Sequence, residues 1–123
     1  MGYDFNERTP IYQQIVEEIK KQIVTEKLNG GDKMPSVREL SQEMDVNPNT
    51  VQRAYQELER QNITFSQRGM GTFVSEDIGI KQKIKNEMAE LILLHFWQGM
   101  NSLGISKEEI IKSVTEYLER EDI

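Results

Sequence analysis

Between Asn47 and Arg60 the chain gathers side chains that form hydrogen bonds in pairs: Asn49, Thr50, Gln52, Arg53 and Gln56. On a helix, Asn49, Arg53, Gln56 and Arg60 recur every three or four residues and share one face. An arginine fork matches the two neighbouring acceptors of guanine, and the amide of Asn49 or Gln52 matches the donor and acceptor of adenine. Thr50, with a single hydroxyl, suits a phosphate. A polar helix face is the ordinary alternative, but Asn and Thr are indifferent helix formers, so propensity does not explain their clustering. This chemistry is recognition, not bond-making. No nucleophile–base pair or Walker-type glycine-rich cradle appears, so no catalytic residue is expected. With no cysteine and a single histidine, His95, neither a metal site nor a cofactor is expected.

The elements that must carry these residues can be read from caps and spacing. Residues 11–27 form an amphipathic helix with Thr9 as cap, Pro10 as first residue, and Ile11, Ile15, Ile19 and Ile23 recurring every fourth position beside Val16. Asn29-Gly30-Gly31-Asp32 turns the chain. Ser36 with Glu39 is a capping box opening a second helix, whose buried stripe is Val37, Leu40 and Met44. Asp45-Val46 is a turn, and Asn47-Pro48 opens a third helix with Val51, Ala54, Tyr55 and Leu58 on its buried side. Residues 63–66 and 72–75 read as short strands joined through Gln67-Arg68-Gly69-Met70-Gly71, where the glycines permit positive φ.

Two short helices followed by a glycine-turned hairpin make a winged helix-turn-helix, which lays one helix in the DNA major groove and a loop against the neighbouring backbone. Arg38 then serves as a phosphate clamp; a cation so near a helix start is disfavoured by the dipole, which argues for an outside partner. Arg68, with Gly69 and Gly71, forms a wing tip able to enter a narrow minor groove. Ser36 can bond a phosphate and Asn47 can touch DNA, although capping alone accounts for both. Lys33 falls in the same unit. Tyr12 and Tyr55 read as core aromatics.

From Glu76 onward the character changes. Ile80, Ile84, Met88, Leu91 and His95 keep helical spacing, while Ile92, Leu93, Leu94, Phe96 and Trp97 widen the apolar surface. A break is expected over Gly99 to Gly104, then a second capping box, Ser106 with Glu109, opens a last helix bearing Ile110, Ile111, Val114, Tyr117 and Leu118. Glu116 to Asp122 reads as a solvated face. A helix pair this apolar calls for a second copy of the chain. His95, Phe96 and Trp97 suit a buried interface cluster better than an effector pocket.

The expected fold is mostly α with a small β wing: a DNA-binding domain over residues 1–75 and a two-helix dimerisation segment over residues 76–123. The formal charge of −6 is unusual for a polyanion binder. It is uneven: residues 1–75 carry 9 basic and 11 acidic side chains, net −2, and residues 76–123 carry 6 and 10, net −4. Affinity must then rest on a few placed contacts and on dimerisation. The start of the chain lacks the features of a signal peptide and no apolar run could span a bilayer, so a cytoplasmic protein is expected.

The motifs Pro10-Ile11-Tyr12-Gln13-Gln14-Ile15, Met34-Pro35-Ser36-Val37-Arg38-Glu39-Leu40, Val46 to Glu59, and Arg68 to Val74 resemble the GntR family of bacterial transcriptional regulators, and within it the short YtrA-like subfamily. The resemblance covers residues 10–75; the remaining residues fit by length and helix layout. It implies a homodimeric repressor on a palindromic operator, controlling a transporter or envelope-stress operon in response to some signal, such as a small-molecule effector. It also implies DNA contact by the counterpart of Arg38. Two departures stand out: Asn62 replaces a usual glycine and Thr64 a usual apolar residue. The rival reading is a winged-helix module for protein–protein contact, which has no reason to keep cations at Arg38, Arg53 and Arg68.

Overall fold

An isoleucine at every fourth position places one stripe of the first helix against the rest of the chain. The computed structural model describes residues 4–123. In it, α1 (Ile11–Val24) buries Ile15, Val16, Ile19 and Ile23 and packs against α3 (Pro48–Arg60), which buries Val51, Ala54, Tyr55 and Leu58. The short α2 (Val37–Met44) also packs on α3, burying Leu40, Ser41 and Met44, while Val37 is only half-buried.

The first helix departs from expectation at both ends. Pro10 stands at the cap position and Thr9 makes no capping bond. The Asn6 side chain instead accepts from the N–H groups of Arg8 and Thr9, and Gln14 Nε2 donates to the Thr9 carbonyl at 2.7 Å. At the far end the helix stops at Val24, before the expected residue 27. Thr25 Oγ1 donates back to the Lys21 carbonyl at 2.7 Å and Glu26 turns left-handed (φ 65°), so the N–H groups of Lys27 and Leu28 both fold back onto Gln22 O.

The capping box of α2 is complete. Ser36 Oγ accepts from Glu39 N at 3.0 Å, and the Glu39 carboxylate accepts from Ser36 N at 2.9 Å, which lowers the Glu39 carboxyl below its ordinary value. Asp45 closes the helix in the left-handed region (φ 55°), and Asn47 Oδ1 caps α3 by accepting from Asn49 N. Asn62 likewise takes positive φ (62°) in the glycine's place.

The wing pairs β1 (Thr64–Gln67) with β2 (Gly71–Val74), antiparallel, one residue off the expected spans at either strand's ends. Ile63 is a buried plug instead of a strand residue, and its carbonyl accepts from Ser75 N. Phe65 lies opposite Phe73 with rings stacked at 5.8 Å. Residues 31–34 clip the hairpin to the body: Gly31 N donates to Val74 O, Val74 N to Asp32 O, and Met34 N to Thr72 O.

Tyr55 ties α3 to the loop before α2, its hydroxyl donating to the Pro35 carbonyl at 2.6 Å. Burial pushes the phenol well above its ordinary value of 10.0, and the charges of Glu39 and Glu43 add to the effect. Because the folded value is the higher one, the associated stability is whole below pH 10 and is lost as pH rises toward the folded value. Tyr55→Phe is expected to cost about 1 kcal/mol in urea unfolding at neutral pH and to remove this contribution to the alkaline decline.

The chain divides into two compact units, one reaching Lys85 and one from Asn86. The long helix α4 (Ile78–Ser102) begins in the first, where Ile80 and Ile84 are buried and Lys81 pairs with Glu26. The second unit holds the rest of α4 and α5 (Lys107–Leu118). Gly99 stays helical, and the chain breaks only at Leu103-Gly104, where Gly104 takes φ 73°. Ser106 and Glu109 form the expected capping box. No residue from 86 to 123 is buried. No helix among the described residues is long and apolar enough to cross a membrane.

Candidate nucleic-acid interface

Once Val51, Ala54, Tyr55 and Leu58 are turned inward, helical geometry leaves Asn49, Gln52, Arg53 and Gln56 exposed together, with Thr50 half-buried at the edge. Arg60 does not join them as a free cation. It is bonded to Glu57, and Arg60 and Gln61 together hold the Glu57 carboxyl down at about 2.

Two arginines on the neighbouring elements, Arg38 and Arg68, are unengaged. Among the described residues no carboxylate or hydrogen-bond acceptor meets the guanidinium of Arg38, at the second position of α2, or that of Arg68, at the wing turn. Both side chains are exposed. Ser36 Oγ accepts from Glu39 N in the cap, and its hydroxyl also bonds the Glu39 carboxylate, so a phosphate would have to compete with Glu39 for that proton. Asn47 spends its carbonyl in the same way and keeps its NH₂ group.

The wing tip turns through Gly69 (φ 78°) and Gly71 (φ 116°), with Met70 N donating to Gln67 O. A side chain at Gly69 would meet nothing within 4 Å, so that position needs glycine for its backbone alone. A Cβ at Gly71 would lie 3.1 Å from Lys33 Cε. Lys33, absent from the candidate contacts, therefore runs beside the wing, and its backbone bridges to Phe73. Glu59 is a further residue not anticipated: its carboxylate accepts from Ser66 N at 3.1 Å and ties the end of α3 to β1.

Arg53 is not extended into solvent. Its guanidinium lies 4.0 Å from the centroid of the Tyr12 ring, and Tyr12 is half-buried, not the core aromatic expected. Tyr12 lies in the first turn of α1, on the same side as the buried Val16, so spacing alone gives no sign of its exposure. Ile11, Tyr12, Asn49, Thr50 and Arg53 line an open depression of about 440 Å³.

Charge follows the division into units. Residues 1–85 carry 12 basic and 13 acidic side chains, net −1; residues 86–123 carry 3 and 8, net −5. The unit holding the exposed amides and unengaged arginines is thus close to neutral, and the acidity lies away from it in sequence.

Residues 11–74 match the description "Bacterial regulatory proteins, gntR family", more than half of the chain. The chain belongs to the gntR family. The HTH-type transcriptional regulator YhcF of Bacillus subtilis (strain 168) is 40% identical over 97% of this chain and 98% of its own length. The HTH-type transcriptional repressor YtrA of the same organism is 41% identical over 75% of each chain. The solved structure of a GntR family transcriptional regulator from Listeria monocytogenes superimposes with a TM-score of 0.84 at 43% identity, covering 91% of this chain and 98% of that one. The winged-helix expectation holds, and the chain is a DNA-binding transcriptional regulator of the gntR family, not an enzyme.

Proposed function

We propose that the chain is a cytoplasmic repressor that binds a palindromic operator as a homodimer, using residues 1–75 to read DNA and residues 76–123 to pair with a second copy. The observation that carries the reading is the open polar face of α3 flanked by two unengaged cations, Arg38 and Arg68. In this pose Arg53, with Asn49 and Gln52, meets base edges, Thr50, Ser36, Asn47 and Arg38 meet phosphates, and Arg68, Gly69 and Gly71 bring the wing to the minor groove. The likeness to YtrA, named a repressor, supports repression, and the YtrA-like resemblance supports a transporter or envelope-stress operon as the target. A small-molecule effector would find apolar contacts around Phe96 and Trp97.

Selection of bound sequences from a random duplex pool tests the reading. The expected product is a palindrome with half-sites about one helical turn apart; no enrichment at low salt would overturn it, and a lone half-site would overturn its symmetry. Arg38→Ala is expected to weaken binding to all sequences about equally and to lower the slope of log affinity against log salt by about one unit. Loss confined to one sequence would move Arg38 from the phosphates to a base.

A further inference from the structure

We propose that Tyr12, in the first turn of α1, is a positioning residue that holds the plane of Arg53 for base reading and so sets specificity at one base pair. The inference rests on the reading above, in which Arg53 meets a base edge. Among the described residues the Tyr12 ring is the sole partner of the Arg53 guanidinium, at 4.0 Å from its centroid. That choice of partner matters chemically. A carboxylate would occupy the N–H fork and cancel its charge, whereas an aromatic face holds the guanidinium through its π surface and leaves the edge donors free. A stacked guanidinium also has less rotamer freedom to lose when it meets the two acceptors of guanine.

The ring is itself held. Tyr12 is half-buried on a helix whose Ile15 and Ile19 are buried and which packs against α3, and its hydroxyl accepts from Gln13 Nε2 at 3.2 Å. Asn49 and Thr50 line the same depression as Tyr12 and Arg53, so the first turn of α1 and the first turns of α3 form one surface. Tyr12 acts through Arg53, not on the base.

The test uses the whole chain and the duplex selected by the wild type, with each position of one half-site varied in turn. Affinities are measured for Tyr12→Phe, Tyr12→Leu, Arg53→Ala and the Tyr12→Leu, Arg53→Ala pair, each first shown to melt as the wild type does; Tyr12→Gln replaces Tyr12→Leu if the latter melts early. Tyr12→Phe, which keeps the ring, is expected to read as the wild type. Tyr12→Leu is expected to lose roughly three- to tenfold on the selected duplex, through lost preference at the same base pair that Arg53→Ala relaxes, with unchanged affinity for unrelated duplex. The pair should be no worse than Arg53→Ala alone. Fully additive losses, or normal preference in Tyr12→Leu beside a relaxed Arg53→Ala, would overturn the positioning role and leave the docking pose standing. If Arg53→Ala relaxes no position, the pose falls and the role of Tyr12 falls with it.

Discussion

The double substitution Leu91→Glu, Leu94→Glu is expected to make the chain monomeric and to weaken operator binding by about 10²-fold or more. The two positions are three residues apart on α4, one helical turn on the same side, and are 50% and 47% exposed. Charge there costs the isolated chain no core. The expectation follows from what the second unit lacks. From Leu91 to Ser102 there is no Asp, Glu, Lys or Arg, Leu91 to Leu94 are apolar without interruption, and α5 adds Ile111 and Leu118, again exposed. A helical turn apolar on every side, as Leu91 to Leu94 is, calls for a cover, and the second unit buries none of its own residues. In the proposed dimer a second copy of the same surface would cover it with two-fold symmetry, the symmetry that a palindromic operator would match. Sedimentation equilibrium with parallel binding curves checks the result. Melting of the first unit should be unchanged, because Ile80 and Ile84 already belong to it. A variant that still dimerises, or a monomer with full operator affinity, would remove the C-terminal helices from the pairing role.

Arg53→Ala should cost about 1–3 kcal/mol on the selected operator and relax preference at one base pair of each half-site. The size comes from losing two parallel hydrogen bonds to a base, and the selectivity from their geometry. Fluorescence titration on the operator and on single-base variants separates this from a general loss of charge, which would lower every affinity together. Equal loss on every duplex would place Arg53 at the backbone.

Much of this architecture can be read where local chemistry leaves the chain one choice. Ser36 with Glu39, Asn47 before Pro48, and Ser106 with Glu109 each satisfy helix-end N–H groups at a fixed spacing, so their starts are legible. The wing is legible through Gly69 and Gly71, and Asn62 through its tolerance of positive φ. What escapes is decided by competition or distance. The end of α1 depends on Glu26 taking positive φ, which turns the N–H groups of Lys27 and Leu28 back onto Gln22 O. Gly99 looks like a breaker, but one glycine costs a long helix only about 1 kcal/mol, and the break falls at Gly104 instead. The stack of Arg53 on Tyr12 joins residues far apart in the chain, and an aromatic beside an isoleucine stripe reads as core until α3 is seen against α1. Arg60 leaves the polar face because Glu57, one turn earlier, takes its fork.

The most direct measurement is the mass of the complex formed on a labelled selected duplex, by sedimentation with increasing chain concentration. Two chains per duplex are expected, bound together without a populated one-chain species, and Arg53→Ala should preserve that ratio while shifting the midpoint. One chain per duplex at full affinity and unaltered base preference in Arg53→Ala would contradict the account.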